Sequence, residues 1–108
     1  MPEAARIGDK AYAMGDAHGS PICCPHNVIG PIIMGAPRVL INDRPAAREQ
    51  DTGTHAACCG PNTFRVWRGS STVIIEGYGA ARKGDETYHC GNAVGTITEG
   101  SSNVLIGG

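Results

Sequence analysis

The chain is poor in large rings: one Phe, one Trp and three Tyr among 108 residues, or 5% aromatic. A domain this small that lacks ring burial usually relies on a staple such as a metal, a disulfide or a partner. Charge of one sign is missing too. Nine Lys and Arg stand against ten Asp and Glu, for a formal net charge of -1. No basic run exists to displace counterions from phosphates, which argues against a nucleic-acid surface. No apolar stretch approaches the length of a membrane-crossing helix, and no segment carries the sustained 3.6-residue apolar period of a long one. The start, Met1-Pro2-Glu3-Ala4-Ala5-Arg6, lacks the apolar core of a signal peptide, so the expectation is a protein folded in a reducing cytoplasm. Five cysteines, an odd number, fit that compartment better as metal ligands or buried thiols than as a disulfide framework.

What the chain does have is repetition. Gly35-Ala36-Pro37-Arg38-Val39-Leu40-Ile41-Asn42-Asp43-Arg44-Pro45-Ala46-Ala47-Arg48-Glu49-Gln50-Asp51 aligns without a gap against residues 69–85, from Gly69-Ser70-Ser71-Thr72-Val73-Ile74-Ile75 through Ala80-Ala81-Arg82-Lys83-Gly84-Asp85. The front half recurs as Gly100-Ser101-Ser102-Asn103-Val104-Leu105-Ile106-Gly107-Gly108, and the back half as Ala4-Ala5-Arg6-Ile7-Gly8-Asp9. A third copy split between the two ends requires those ends to meet. The expected fold is one all-β domain spanning residues 1–108: a small cone with three pseudo-equivalent faces, closed on itself.

Short β-branched runs bounded by Gly, Pro, Ser and Asn predict strands over 38–42, 72–76 and 103–107. Turns at Asn42-Asp43 and Glu76-Gly77 lead the first two into an extended Ala-Ala-Arg segment. Partial alternation predicts further strands over 30–34, 64–68 and 95–99, and the poorly patterned stretch 9–16 could hold one short helical turn. Asp9, Asp51 and Asp85, each following an arginine by three, read as turn residues with local pairing rather than a carboxylate cluster. Trp67 and Phe64 read as core or loop anchors, and Arg38 and Arg44 as solvated charges.

Pro45-Ala46-Ala47-Arg48 and Ala80-Ala81-Arg82-Lys83-Gly84-Asp85, in register with Gly-Ser-Ser-x-Val, resemble the proline-alanine-alanine-arginine (PAAR) repeat proteins across essentially the whole chain. Glu49-Gln50 and Gly79 depart from the repeat pattern. The resemblance implies a structural tip that caps the trimeric valine-glycine repeat (VgrG) spike of a bacterial type VI secretion system, one chain per trimer. It would aid membrane puncture, with separate effector or adaptor proteins as possible cargo and no fused effector domain. Such a protein would leave the cytoplasm with the contractile machine and touch the target envelope transiently.

All five cysteines and all four histidines lie in the segments between repeat units: His18, Cys23, Cys24 and His26, then His55, Cys58 and Cys59, then His89 and Cys90. Insertions between repeats emerge on one face, so these three segments are expected to converge at one end. One ligand from each plus a fourth makes a closed tetrahedral site, and mixed nitrogen and sulfur ligation suits zinc. The resemblance implies one structural zinc held by three histidines and one cysteine. The candidates are His55 and His89, then His18 or His26, with Cys59 as thiolate and Cys90 or Cys24 behind it. Against ligation stands the ordinary role of cysteine as a small buried hydrophobe and of histidine as a structural residue. No His-Glu-x-x-His or zinc-deaminase pattern occurs, and a glycine-turn cone offers little concavity for catalysis, so an enzyme is not expected. The rival readings are the same tip role on a phage tail, tailocin or extracellular injection particle, and a free-standing zinc-binding domain.

Overall fold

The structure, a computed structural model, describes residues 2–16, 26–54, 63–89 and 94–107, with 14–16 and 26 as backbone. It is all-β. Among the described residues ten strands follow in order: β1 (Lys10–Asp16), β2 (His26–Pro31), β3 (Ala36–Ile41), β4 (Arg44–Ala46), β5 (Thr52–Thr54), β6 (Thr63–Val66), β7 (Ile74–Ile75), β8 (Tyr78–Gly79), β9 (Glu86–His89) and β10 (Val94–Ile97). Six form one antiparallel sheet in the order β2-β1-β10-β9-β6-β5. The sheet curls until its edges meet. Ile32 bridges Gly53, and the Ile33 and Met34 N–H groups donate to the Thr52 carbonyl at 2.9 and 3.2 Å. The molecule measures 41 × 24 × 23 Å, with near-equal short axes as rotation about the long axis requires.

The barrel interior follows the repeat. Ile32, Val66 and Ile97 occupy one equivalent position and fill one layer, all buried, beside Ala5, Ala47 and Ala81. The next layer holds Ala11, Gly53 and Thr87 on the outgoing strands and Gly30, Phe64 and Gly95 on the returning ones. Five small or middling residues leave room for one ring: a Cβ on Gly53 would lie inside the Phe64 ring. Phe64 is therefore the plug of the barrel. Trp67, grouped with it as an anchor from sequence, is instead exposed.

Two devices repeat three times around the axis. The Ala5 N–H donates to the Ala81 carbonyl at 2.9 Å, Ala81 to Ala47 at 2.9 Å, and Ala47 to Ala5 at 3.0 Å. This closed ring of main-chain bonds is centred where only methyl side chains fit, which explains the alanines. Around it sit three carboxylate clamps. Asp9, Asp51 and Asp85 each accept the N–H of Arg6, Arg48 and Arg82 at 2.8 Å, then the same arginine's Nε at 3.0, 3.1 and 3.0 Å. The second carboxylate oxygen takes Nη2 at 3.0, 3.1 and 2.8 Å. Turn chemistry with local pairing, expected of these aspartates, is what they do.

Below the barrel lie three hairpins. β3–β4 and β7–β8 turn through Asn42-Asp43 (φ 51° and 66°) and Glu76-Gly77 (φ 46° and 88°), the doubly left-handed pairs of tight type I′ turns. The third hairpin is split between the chain's ends. Leu105 pairs Glu3 as Leu40 pairs Pro45 and Ile74 pairs Gly79, and the Ala4 N–H donates to Val104 at 2.8 Å. Ile41, Ile75 and Ile106 pack with Ala4, Ala46 and Ala80 to form this base core.

The clamp turns place Gly8 and Gly84 at φ 95° and 92°, and at the same position Gln50 at φ 72°. A left-handed non-glycine costs about 1–2 kcal/mol, while glycine's extra freedom in the unfolded chain takes back roughly 0.4–1 kcal/mol. Gln50→Gly is accordingly expected to raise stability by roughly 0.5–1 kcal/mol, read as a higher urea midpoint at unchanged slope.

Two expectations need correction. The stretch 9–16 holds no helical turn. Lys10 to Asp16 is strand β1, its inward positions taken by Ala11 and Ala13, whose weak apolarity conceals a period of two. Arg44 is not merely solvated, because its Nη2 lies 3.6 Å from the Asp9 carboxylate. In addition, β5 and β9 fall in segments read as loops. No helix long and apolar enough to cross a membrane occurs among the described residues.

Candidate functional site

Strand direction decides what gathers at each end. β1, β5 and β9 run the same way, and β2, β6 and β10 return. β1, β5 and β9 therefore all end, and β2, β6 and β10 all begin, at one end of the barrel, with the base hairpins at the other. His18, His55, Cys59, Cys23, Cys24, Cys58 and Cys90 lie outside the described residues. His26 opens β2, its backbone opposite Asp16. His89 closes β9 and is fully buried.

His89 faces the barrel interior at its loop end. Its ring stacks on Phe64, with centroids 5.0 Å apart. Nε2 lies 2.9 Å from the Thr87 Oγ1, and a Cβ on Gly95 would come within 2.9 Å of the same nitrogen. Nδ1 is buried as well. When Nε2–H donates to the Thr87 hydroxyl, the lone pair belongs to Nδ1. A hydrogen-bond acceptor that holds one ring nitrogen fixes the tautomer and ring orientation of a histidine, as it does in metal-binding histidines. Thr87 was missed from sequence, although its place two residues before His89 on a strand puts both on one face. The repeat position of His89 and His55 is filled in the first unit by Ala13, buried and paired with Val28, so the first unit offers no histidine in that register. Among the described residues, no three His, Cys, Asp or Glu side chains come together as a metal cluster.

At the other end, each arginine clamp reaches a neighbouring hairpin turn. Arg6 Nη1 donates to the Asn42 side chain at 2.9 Å, Arg82 Nη1 to the Gly107 carbonyl at 3.3 Å, and Arg48 Nη1 lies 3.8 Å from the Glu76 carboxylate. Asn42, Glu76 and Gly107 occupy one repeat position, so the arginines tie barrel to base around the axis. Hydrogen bonding to aspartate raises each arginine's pKa, against the opposing effect of burial. A raised cation pKa gives stability that persists up to the unfolded value and is lost only above it. The arginines thus stay charged through the ordinary alkaline range. Leu40, Ile74 and Leu105, one per base hairpin at one repeat position, are 58%, 58% and 51% exposed.

The junctions between units differ in a matched way. Ile7 donates its N–H to Pro45, Glu49 to Gly79 and Lys83 to Glu3, at 2.8–2.9 Å. The first pair is apolar. The third brings Lys83 and Glu3 to one open cleft of about 440 Å³, with Glu99 also on its wall. In the second, Glu49 Oε1 accepts the Gly69 N–H at 2.9 Å, and a Cβ on Gly79 would come within 2.9 Å of that oxygen. Of the departures from the repeat pattern, Glu49 and Gly79 are thus complementary, the missing side chain of one making room for the carboxylate of the other.

The profile describing the PAAR motif matches residues 3–61 and 65–108. No curated protein matches the chain. The axial alanines, the arginine clamps and the hairpins they hold are the parts that the repeat encodes, and with the profile spanning nearly the whole sequence, the chain belongs to the PAAR motif family.

Proposed function

We propose that this chain caps the blunt end of a trimeric VgrG-type spike in a type VI secretion system, one copy per trimer. The observation that carries this is the base. Three pseudo-equivalent hairpins present Leu40, Ile74 and Leu105 around one axis, so a single chain offers three similar contacts to three identical subunits. Family membership supports a spike-tip-like structural role in general. The protein would be made in the cytoplasm and carried out by the machine, meeting the target envelope briefly and able to bring effectors or adaptors with it. Size exclusion with light scattering, using a VgrG-type trimer from the same genome, is expected to give one chain per trimer. Leu40→Asp, Ile74→Asp and Leu105→Asp combined are expected to abolish the complex at unchanged fold. Absence of a complex with the unaltered protein rejects the proposal.

We further propose one structural zinc at the loop end. His89 supports it through its burial, its contact with Thr87 and its place at the barrel end where β1, β5 and β9 stop. His55 would join it with His18 or His26, and Cys59 would be the thiolate. A four-coordinate zinc would cross-link the segments with ~10–16 kcal/mol of apparent binding free energy. Elemental analysis of the purified protein is expected to find one zinc per chain, with the content falling sharply in His89→Ala. A metal-free protein, or full zinc in that variant, removes His89 from the ligand set.

A further inference from the structure

The outer barrel face across β5, β6 and β9 carries Arg65 and Trp67, which neither the base hairpins nor the proposed metal ligands use. Thr52, Arg65, Tyr88 and Val94 stand in one cross-strand row, continued past Thr52 by Met34, whose sulfur accepts the Thr52 hydroxyl at 3.0 Å. Arg65 is held against two rings, with its guanidinium carbon 5.2 Å from the centroid of Trp67 and 5.6 Å from that of Tyr88. The rings themselves lie 5.6 Å apart. Stacking engages the faces of a guanidinium and leaves its in-plane N–H donors for a planar anion. Among the described residues, Arg65 forms no ion pair. Beside it runs an open groove of about 320 Å³ lined by Thr52, Thr63, Arg65 and Tyr88 and reaching Phe64 and His89 at the loop end of the barrel. Trp67 is 40% exposed, and Ile33, Met34 and Val94 are more so.

We propose that this face docks an extended acidic segment of a separate protein, placing a carboxylate on Arg65 and a neighbouring apolar side chain against Trp67. Charge complementarity selects that occupant. A pre-oriented guanidinium inside an apolar and threonine-lined groove suits one carboxylate flanked by hydrophobic residues, whereas a phosphate backbone needs a run of cations in a chain whose net charge is -1. The pseudo-equivalent positions carry Pro31 and Thr96 for Arg65, and Ile33 and Thr98 for Trp67. The other two faces therefore lack the site, and each chain takes one partner segment. This inference stands independently of spike docking, which uses the opposite features of the base.

Trp67 is the protein's one tryptophan, so intrinsic fluorescence reports on this face directly. The test begins with a displayed library of random 12-residue peptides panned against the full chain. The recovered sequences are expected to be enriched in Asp or Glu beside aliphatic or aromatic residues. The consensus peptide should shift Trp67 emission saturably. Its affinity should fall at least about tenfold when its acids become amides, or with Arg65→Gln, and by less with Arg65→Lys. Arg38→Gln on the base should leave it unchanged, and thermal melts should match across the variants. Peptides without acidic enrichment, equal binding by Arg65→Gln, emission that instead tracks self-association of the protein, or binding to anionic vesicles but to no peptide would each overturn the proposal.

Discussion

Asp51→Ala will cost about 3–5 kcal/mol of unfolding free energy, the penalty typical of removing one partner from a buried ion pair. The Arg48 and Asp51 side chains are 15% and 5% exposed, and Asp51 receives three N–H donors from the one arginine. Taking the carboxylate away leaves the guanidinium with the more distant Glu76 carboxylate, 3.8 Å off, in a site that water reaches poorly, and it also frees the turn carrying Gln50 at φ 72°. Domains of this size have total stabilities of roughly 5–15 kcal/mol, so one clamp represents a large part of the whole. Urea unfolding of Asp51→Ala beside Arg48→Met with Asp51→Leu separates the causes. The double variant is expected to recover much of the loss, because replacing both charges removes the stranded cation. A single variant within ~0.5 kcal/mol of the unaltered protein, the range of ordinary surface changes, would show that the clamps are decoration. Asp9→Ala and Asp85→Ala should behave alike if the threefold relation is energetic as well as geometric.

Ala47→Leu is the second large effect. The Ala47 methyl packs on the axis beside those of Ala5 and Ala81, none of them more than 1% exposed, and the three main chains are already joined at 2.9–3.0 Å. Added methylenes have no space to enter and can fit only by forcing the ring apart. Overpacking costs about 1–3 kcal/mol in an adaptable core and more where backbone must move, so at least ~3 kcal/mol is expected here. Leu40→Ala, on the exposed side of the base, should cost under ~0.5 kcal/mol and serves as the comparison. Thermal or urea midpoints for the two variants decide it. Equal midpoints would mean that the axis is looser than its hydrogen-bond ring implies.

Much of the architecture was legible in the repeat. Split halves at residues 4–9 and 100–108 required the ends to join, and Leu105 does pair with Glu3. The spacing of Arg6, Arg48 and Arg82 ahead of Asp9, Asp51 and Asp85 identified the clamp turns, because a three-residue offset places a carboxylate over its own turn's N–H. Reading failed where small residues do the packing. Ala11 and Ala13 gave β1 no visible alternation, and Gly53 hid the inward face of β5, since a position left empty for the Phe64 ring has no hydrophobic signal of its own. Repeat logic predicts that the His/Cys segments gather at one end, and among the described residues the strands that precede them, β1, β5 and β9, run the same way. Which of those residues share a metal is a matter of side-chain placement, and of the five first candidates His89 has its side chain among the described residues.

By itself, the sequence determined the all-β class, the pseudo-threefold closure, the family and the chemistry gathered between repeats, because each of these follows from periodicity, and periodicity is a one-dimensional property. Tertiary structure alone decided that three alanines close a hydrogen-bonded ring, that each arginine reaches a neighbouring hairpin turn, that Glu49 and Gly79 are complementary, and that Arg65, Trp67 and Tyr88 meet on one face. Those contacts join residues from different repeats across strand pairs. Their partners are set by register and by the curl of the sheet, which no local stretch of the chain records.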